Sequence, residues 1–527
     1  MLGLMFSKLL VIFHTVRHLK PIQVYYQLWY RVKKKVKLNQ SYDRHYAKAL
    51  SLKWVDGVFN LSTYIGDSTF QFINIKHTFK QNIDWNYAEH KKLWTYNLTY
   101  FDFLNQETTS KEQGLVLITN FIKNYNGLKD AKEPYPTSLR IINWVKFISK
   151  HHISEPAILQ TIKEDSNRLS NNLEYHLLGN HLLENGFALW FTAHLFDDTE
   201  YFKIATKILK NQLEEQILND GGHFELSPMY HQLMLFRVLD CIQLAELNQS
   251  SQKEMISFLR GKASKMQSWL TKITFQNGNI PLFNDAANGI NPDSKTILDY
   301  YNKLDFNEVL LPLSDSGYRK FSNENYELIC DVGQVGPSYQ PGHAHADTFN
   351  FELYVKGSPI FVDSGTSTYN INEKRSLERS TKAHNTVTVN DANSSQVWSG
   401  FRMAKRAHIT KLEENKNQLT AIHNGYLQQG VLHQRTWKIQ ANEITITDEL
   451  VGKKSEGKAY FHFHPSVSIE KNEDVLIINN HMKIIFKDLV EVTELETLYS
   501  PIFNTTQKKI TLAVLFKQKL TTIIRIS

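Results

Sequence analysis

Two histidines, a carboxylate and a third histidine fall at spacings that allow acid–base or metal chemistry. Pro341-Gly342-His343-Ala344-His345-Ala346-Asp347 is followed by Phe361-Val362-Asp363-Ser364-Gly365 and then by Lys382-Ala383-His384-Asn385-Thr386. His345, Asp363 and His384 supply two imidazoles and one carboxylate, a donor set that favours zinc over calcium. Such residues at strand ends, 18 and 21 positions apart, can converge at one rim of a β-sandwich. The plainer alternative is three polar strand ends that hydrogen bond separately. His343 precedes His345 by two residues, so on an extended strand both project from one face. One can then bind metal while the other faces a cleft as a base, since a neutral imidazole accepts a proton near pH 7.

A second group lies earlier in the chain. Leu178-Gly179-Asn180-His181-Leu182-Leu183-Glu184 reads as a helix start with Asn180 as its cap, and an amide there is also a donor to a carboxylate at the positive end of the helix dipole. Asp220 to His231 is a glycine-hinged loop entering a helix, and its titratable groups, Glu225 and His231 among them, suit an active-site wall. Tyr230 in this loop is either an ordinary packed tyrosine or part of that wall. Trp398 with Arg402, Lys405 and Arg406 forms a basic and aromatic patch able to contact acidic sugars, or else a solvated strand edge.

Positioning these groups requires two kinds of framework. To about residue 310 the apolar residues recur at helical spacing, over 113–125, 138–150, 157–175, 181–196, 201–218, 227–247 and 253–275. Short polar connections between such helices imply stacked antiparallel hairpins, in a bundle or a toroid. From about residue 316 short alternating runs take over, including 349–355, 360–363, 386–389, 419–423, 436–439, 444–447, 459–464 and 509–516, which imply a large β-sandwich. The expected organisation is therefore an all-helical region over 1–310 and a sandwich over 316–527.

Composition agrees with a folded globular chain of two domains: 527 residues, 42% hydrophobic and 21% charged. Two cysteines exclude a disulfide framework. A net charge of +7 favours anionic partners mildly, and 24 Tyr with 9 Trp suit stacking on sugar rings as well as core packing. Residues 2–16 are apolar, but Lys8, His14 and Arg17 interrupt them and no small-residue cleavage site follows, which argues against a signal peptide. With the basic run 31–37 behind it, this segment is expected to be an amphipathic helix docked on the body, with peripheral contact to a membrane surface as the alternative.

GNHLLENG, DGGHFELSPMYHQ, PGHAHADTFNFEL, PIFVDSGTSTY and RSTKAHNTVTVND, taken in order, resemble the heparinase II/III-type polysaccharide lyases, which share an architecture with one group of alginate lyases. The resemblance implies an incomplete (α/α) toroid followed by an antiparallel β-sandwich. It implies cleavage of a uronate-containing acidic polysaccharide by β-elimination, with no nucleic-acid partner. On this resemblance Asn180 and His181 bind the uronate carboxylate and Tyr230 and His343 carry the proton transfers. Glu225, His231, Trp398 and Arg402 are candidate substrate contacts. His345, Asp363 and His384 hold one structural divalent ion, expected to be zinc. An envelope or periplasmic location goes with the family, a cytoplasmic one with the unclear leader. The competing activities are glycoside hydrolysis through Glu184, Asp220 and Glu225, and carbohydrate binding without turnover.

Overall fold

The computed structural model describes residues 2–36, 49–307 and 309–527, so Lys37 of the basic run lies outside the described residues. Its helical part comprises α1 (Leu2–Val16), α2 (Pro21–Val36), α3 (Lys91–Tyr100), α4 (Lys111–Asn124), α5 (Pro134–Lys150), α6 (Pro156–Ser170), α7 (Gly179–Phe196), α8 (Thr199–Gln216), α9 (Pro228–Leu247), α10 (Lys253–Ile273) and α11 (Ser294–Lys303). Proline opens α5, α6 and α9, where a missing N–H costs nothing. Helices α7 and α9 are apolar around most of their circumference and are buried almost throughout, as an all-round apolar helix must be, while α5 is equally buried and takes Arg140, Asn143 and Lys146 inside with it. The more amphipathic α4, α6, α8 and α10 turn one face inward against them, which gives the incomplete (α/α) toroid. A three-stranded meander, β1 (Tyr64–Gly66), β2 (Thr69–Phe72) and β3 (Ile75–Thr78), interrupts the region expected to be wholly helical. Phe70 and Phe72 of β2 pack on Phe103, which joins the meander to the helical core.

The C-terminal half is antiparallel. Strands β4 (Tyr318–Ser322), β5 (Tyr326–Asp331), β6 (Phe351–Val355) and β7 (Ser358–Phe361) form one sheet in chain order. Then come α12 (Glu373–Glu378), β8 (Val387–Val389) and the short pair β9 (Val397–Trp398) and β10 (Arg402–Met403). Strands β11 (Ile409–Asn415), β12 (Gln418–His423), β13 (Val431–Ile439), β14 (Glu443–Gly452), β15 (Glu456–His462), β16 (Ile469–Asn472), β17 (Val475–Ile478), β18 (Met482–Tyr499) and β19 (Gln507–Ile526) build the larger sheet with β8. The two sheets share one core in which Leu328 and Leu353 meet Trp437, Ile446 and Phe461, so the layers make a sandwich.

Asp220, in the loop after α8, ties the two halves together. Its Oδ2 accepts hydrogen bonds from Ser314 N at 2.9 Å, Ser316 N at 2.9 Å and Ser316 Oγ at 2.6 Å, just before β4. Gly221 follows with φ +89°, and a Cβ there would lie 1.9 Å from the Lys265 carbonyl oxygen, so only glycine lets this loop meet α10. On the other side, α1 and α2 dock on both halves. Gln23 donates to Leu177 O at 3.2 Å and Gln340 Oε1 at 2.8 Å, Tyr30 donates to Leu173 O, and Trp398 donates to Thr15 Oγ1 at 3.1 Å.

Inside the sandwich, fully buried Asp448 accepts from Arg435 Nε at 2.6 Å and NH2 at 3.0 Å and from His433 Nε2 at 2.7 Å. Arg435 then donates to the carbonyls of Phe349 at 2.8 Å and Asn385 at 2.7 Å, in the loops that carry His345 and His384. Burial opposes ionisation of Asp448, but Arg435 and His433 outweigh it and hold the carboxyl down to about 2. Because this lies below its value in an unfolded chain, the stabilisation is present above pH ~4 and is lost as pH falls toward 2. Asp448→Asn, which leaves Arg435 without a counter-charge, should destabilise the protein by about 3–5 kcal/mol near neutral pH. In chemical denaturation the gap between parent and variant should narrow between pH 4 and 2, and a gap independent of pH would contradict the assignment.

Candidate functional site

The site grows around a carboxylate that stood out in no motif. Asp285 lies in the connection between α10 and α11 and is fully buried. It accepts from His343 Nδ1 at 3.0 Å and His345 Nε2 at 2.8 Å, and Arg375 of α12 grips both its oxygens, one at 2.7 Å. Burial works against its charge, but the Arg375 guanidinium and the two imidazoles hold the carboxyl well below the usual carboxylate range. An ionised carboxylate only accepts, so Nδ1 of His343 is the nitrogen that carries a proton toward Asp285, and Nε2 is the nitrogen left for other partners. The backbone reinforces the placement, with Asp285 N donating to His343 O at 3.0 Å and His345 N donating to Asn284 Oδ1 at 3.0 Å.

Tyr230 comes from the first turn of α9, where Ser227 caps the helix and its hydroxyl also donates to Asp285 O at 2.8 Å. Its ring lies against His343, 4.1 Å between centroids, and its hydroxyl is 3.1 Å from that of Tyr369. Burial first, then Tyr369, pushes the phenol well above its ordinary value, so it keeps its proton at neutral pH. Tyr369 ends the PIFVDSGTSTY stretch, where neither its type nor its spacing marks it for chemistry. Phe401 covers His343 from the other side, at 5.6 Å between rings.

Asn180 does not cap its helix. Leu178 is the cap residue, with φ +60°, and Asn180 is buried in the first turn of α7, where Nδ2 donates to both Glu225 oxygens at 3.2 and 3.1 Å. The amide is thus already engaged with a carboxylate. His181 stands beside it, 3.0 Å from Glu174 Oε1 and against the Tyr135 ring at 4.6 Å. Burial disfavours a charged ring, but Glu174, fixed in turn by Asn185 Nδ2 at 3.0 Å, raises the His181 pKa. Glu225 belongs to the electrostatic surroundings of both Tyr230 and His181, so the two groups form one neighbourhood.

The three metal candidates are gathered, but pairwise. His384 Nδ1 donates to Asp363 Oδ2 at 2.7 Å, and the His345 and His384 rings are 5.3 Å apart. Asp363 also accepts from Asn350 Nδ2 and Gly365 N. Among the described residues no three His, Cys, Asp or Glu side chains are arranged to hold a metal ion. Even so, His345 Nδ1 and His384 Nε2 are both buried without a partner. Each imidazole therefore has a carboxylate behind one nitrogen and no partner on the other, the arrangement that orients metal-ligating histidines. Asp347, to which no role was given, has an unpartnered buried oxygen nearby, and burial raises its carboxyl to about 6. In kind, the donors fit a zinc-type ion.

Other candidates are placed elsewhere. His231 is not available to a substrate: it is fully buried against Trp269, Nε2 bonds Met266 O at 2.9 Å and Nδ1 accepts from His223 N at 3.2 Å. Burial lowers it to about 3, so it stays neutral. Trp398 and Arg402 face each other across the β9–β10 pair flanking Phe401. Arg402 is exposed there, while the Trp398 N–H is used by α1. Arg406 donates to Ser338 O, so part of this patch is structural. The carboxylates of the hydrolytic alternative each face another partner. Asp220 is saturated at the domain joint, Glu225 is engaged with Asn180, and fully buried Glu184 sits 3.5 Å from Arg237 Nε, its carboxyl raised to about 7 by burial.

Comparison with known proteins agrees with this fold. Residues 137–306 match the description heparinase II/III N-terminus, and residues 308–527 match heparinase II/III-like, C-terminal. The chain is 26% identical over 322 residues to a heparin-sulfate lyase of Bacteroides stercoris, covering 55% of this chain and 46% of the relative. It is 25% identical over 271 residues to one of Pedobacter heparinus, covering 45% and 40%. The chain thus spans about half the length of these relatives or less. Among solved structures, heparinase III superposes with a TM-score of 0.68 at 16% identity, covering 96% of this chain and 92% of that one. Heparan sulfate lyase HepC from Pedobacter heparinus gives 0.55 at 17%, covering 94% and 87%. The toroid, the sandwich and the order of both domain matches lead to one conclusion: the chain belongs to the heparinase II/III family.

Proposed function

We propose that this protein is a polysaccharide lyase that cleaves a uronate-containing acidic glycan by β-elimination. The observation that carries the reading is the packing of Tyr230 on His343, with a protonated phenol beside an imidazole that Asp285 orients. Removing the proton at C5 of a uronate piles charge onto its carboxylate, so the site must offset that charge as it develops. Asn180 and His181 serve this end. The amide already binds the Glu225 carboxylate, which the uronate displaces, and His181 tends toward its cationic form. His343 Nε2 then takes the C5 proton, the C4–O bond breaks as C4=C5 forms, and Tyr230 gives its proton to the departing oxygen. The products are an unsaturated uronate and a free hydroxyl at the cleaved linkage, and solvent returns the protons. The relatives' name, heparin-sulfate lyase, supports a glycosaminoglycan-like substrate.

A divalent ion, zinc by donor type, would be held by His345 Nδ1 and His384 Nε2 with a carboxylate of Asp363 or Asp347. It would supply structural cross-linking beside the cleft rather than a step of the reaction. Asp285 links the ion's site to His343 through His345.

Incubation with a panel of uronate polymers, scored by ultraviolet absorbance for unsaturated ends and by reducing ends, tests the reaction class. New reducing ends without absorbance would mean hydrolysis, and neither signal would mean binding only. Tyr230→Phe keeps the ring against His343 but removes the transferable proton. Its turnover should fall at least about 10²-fold with melting unchanged. Asn180→Ala should also lower turnover, because its donor acts most on charge formed in the transition state. Near-parental rates for Tyr230→Phe would defeat the assignment. As for the ion, elemental analysis of protein purified without chelator should find one equivalent, and His384→Ala should lower both metal content and melting temperature. Parental values for both would remove the metal site.

A further inference from the structure

Helices α1 and α2 are amphipathic the wrong way round for a protein in water. The residues that hold α2 to the body are polar or carry a polar tip: Gln23 and Tyr30 make the bonds given above, Lys33 donates to Asn171 O at 2.7 Å, and the Tyr26 ring stacks on Tyr175 at 4.8 Å. Lys20 at its start pairs with Glu215. On the outside, Tyr25, Leu28, Trp29 and Val32 form an i, i+3, i+4, i+7 stripe, and Leu9, Ile12, Phe13 and Val16 form another on α1. All eight are between 42 and 61% exposed. An apolar stripe of this kind normally faces a core, and two such stripes exceed the scattered apolar residues of an ordinary surface. No helix of the described residues is long and apolar enough to cross a membrane.

Charge identifies the occupant. The first 42 residues hold eight Lys or Arg and no Asp or Glu, so without them the chain's +7 would become −1. Arg17 and Arg31 are exposed beside the stripes. An apolar face flanked by cations, with Trp and Tyr among its exposed side chains, matches the boundary between lipid headgroups and acyl chains. We propose that α1 and α2 seat the protein on an anionic lipid bilayer, lying in the interface without spanning it. Gln340, which Gln23 holds, lies three residues before His343, so the docked face borders the cleft. The docking itself does not depend on the lyase reading.

Flotation of the full-length protein with phosphatidylcholine vesicles, with and without phosphatidylglycerol, tests this. Binding should require the anionic lipid and weaken as salt screens the charges. Phe13→Glu with Trp29→Glu, both at exposed positions, should leave melting unchanged and reduce vesicle partitioning by about ten-fold or more. The parent measurement needs no variant, and a parent that stays unbound with phosphatidylglycerol vesicles at low salt overturns the proposal. So does a variant that is folded and floats like the parent. A parent that is dimeric by light scattering and ignores vesicles, with a monomeric variant, would assign the stripes to a second copy instead.

Discussion

The site depends on one ionised carboxylate placed where no water reaches it. Asp285 comes from the end of the toroid, whereas His343 and His345 come from one loop of the β-rich half and Arg375 from α12. A lone buried carboxylate would be costly, and Arg375 and the imidazoles make it tolerable only if both halves are in register. The same bonds set the proton positions on two histidines. Domain docking and histidine tautomer are therefore one event, and a cleft that opened by sliding the halves apart would lose the orientation of His343.

Polar networks of this kind recur. Asp448 with Arg435 and His433 braces the loops to His345 and His384 from inside the sandwich, and Asp220 gathers three donors at the domain joint. In the toroid, Arg140 grips Asp165 at 2.9 and 2.7 Å and Lys146 pairs with Asp240 at 3.0 Å, all buried. Each network exchanges little net stability for a single geometry, since its members are satisfied in one arrangement and stranded in others. The start of α7 follows the same rule, because Asn180 and His181 are each held by a glutamate that fixes an orientation.

The distribution of charge separates two jobs. The mild basicity of the chain resides in its first 42 residues, and the remainder is nearly neutral overall. On the proposed function, recognition of an acidic glycan would then be a matter of local donors in the cleft, with general attraction to polyanions left to the N-terminal segment.

Periodicity determined the seven long helices from Lys111 to Ile273 within a few residues and the change to strands after residue 316, because burial imposes a period of 3.6 on one and 2 on the other. The residue pattern alone left Tyr230 between a packed and a reactive role, the family resemblance singled out Tyr230, His343, Asn180 and His181 together, and the fold brings them into one neighbourhood. The meander at 64–78, within a region read as helical, was missed because its strands are only three or four residues long. His231 looked chemically available in sequence and is a packed histidine, a difference only burial reveals. Asp285, Arg375 and Tyr369 were illegible for a related reason. Asp285 sits among Asn and Gly residues that read as a turn, and its role exists only once a partner 90 positions away is folded against it. Sequence fixes which side chains have the right chemistry and the local period that places them on a face. Only tertiary packing decides which of them lose water, because desolvation is a property of the neighbours brought in from elsewhere in the chain.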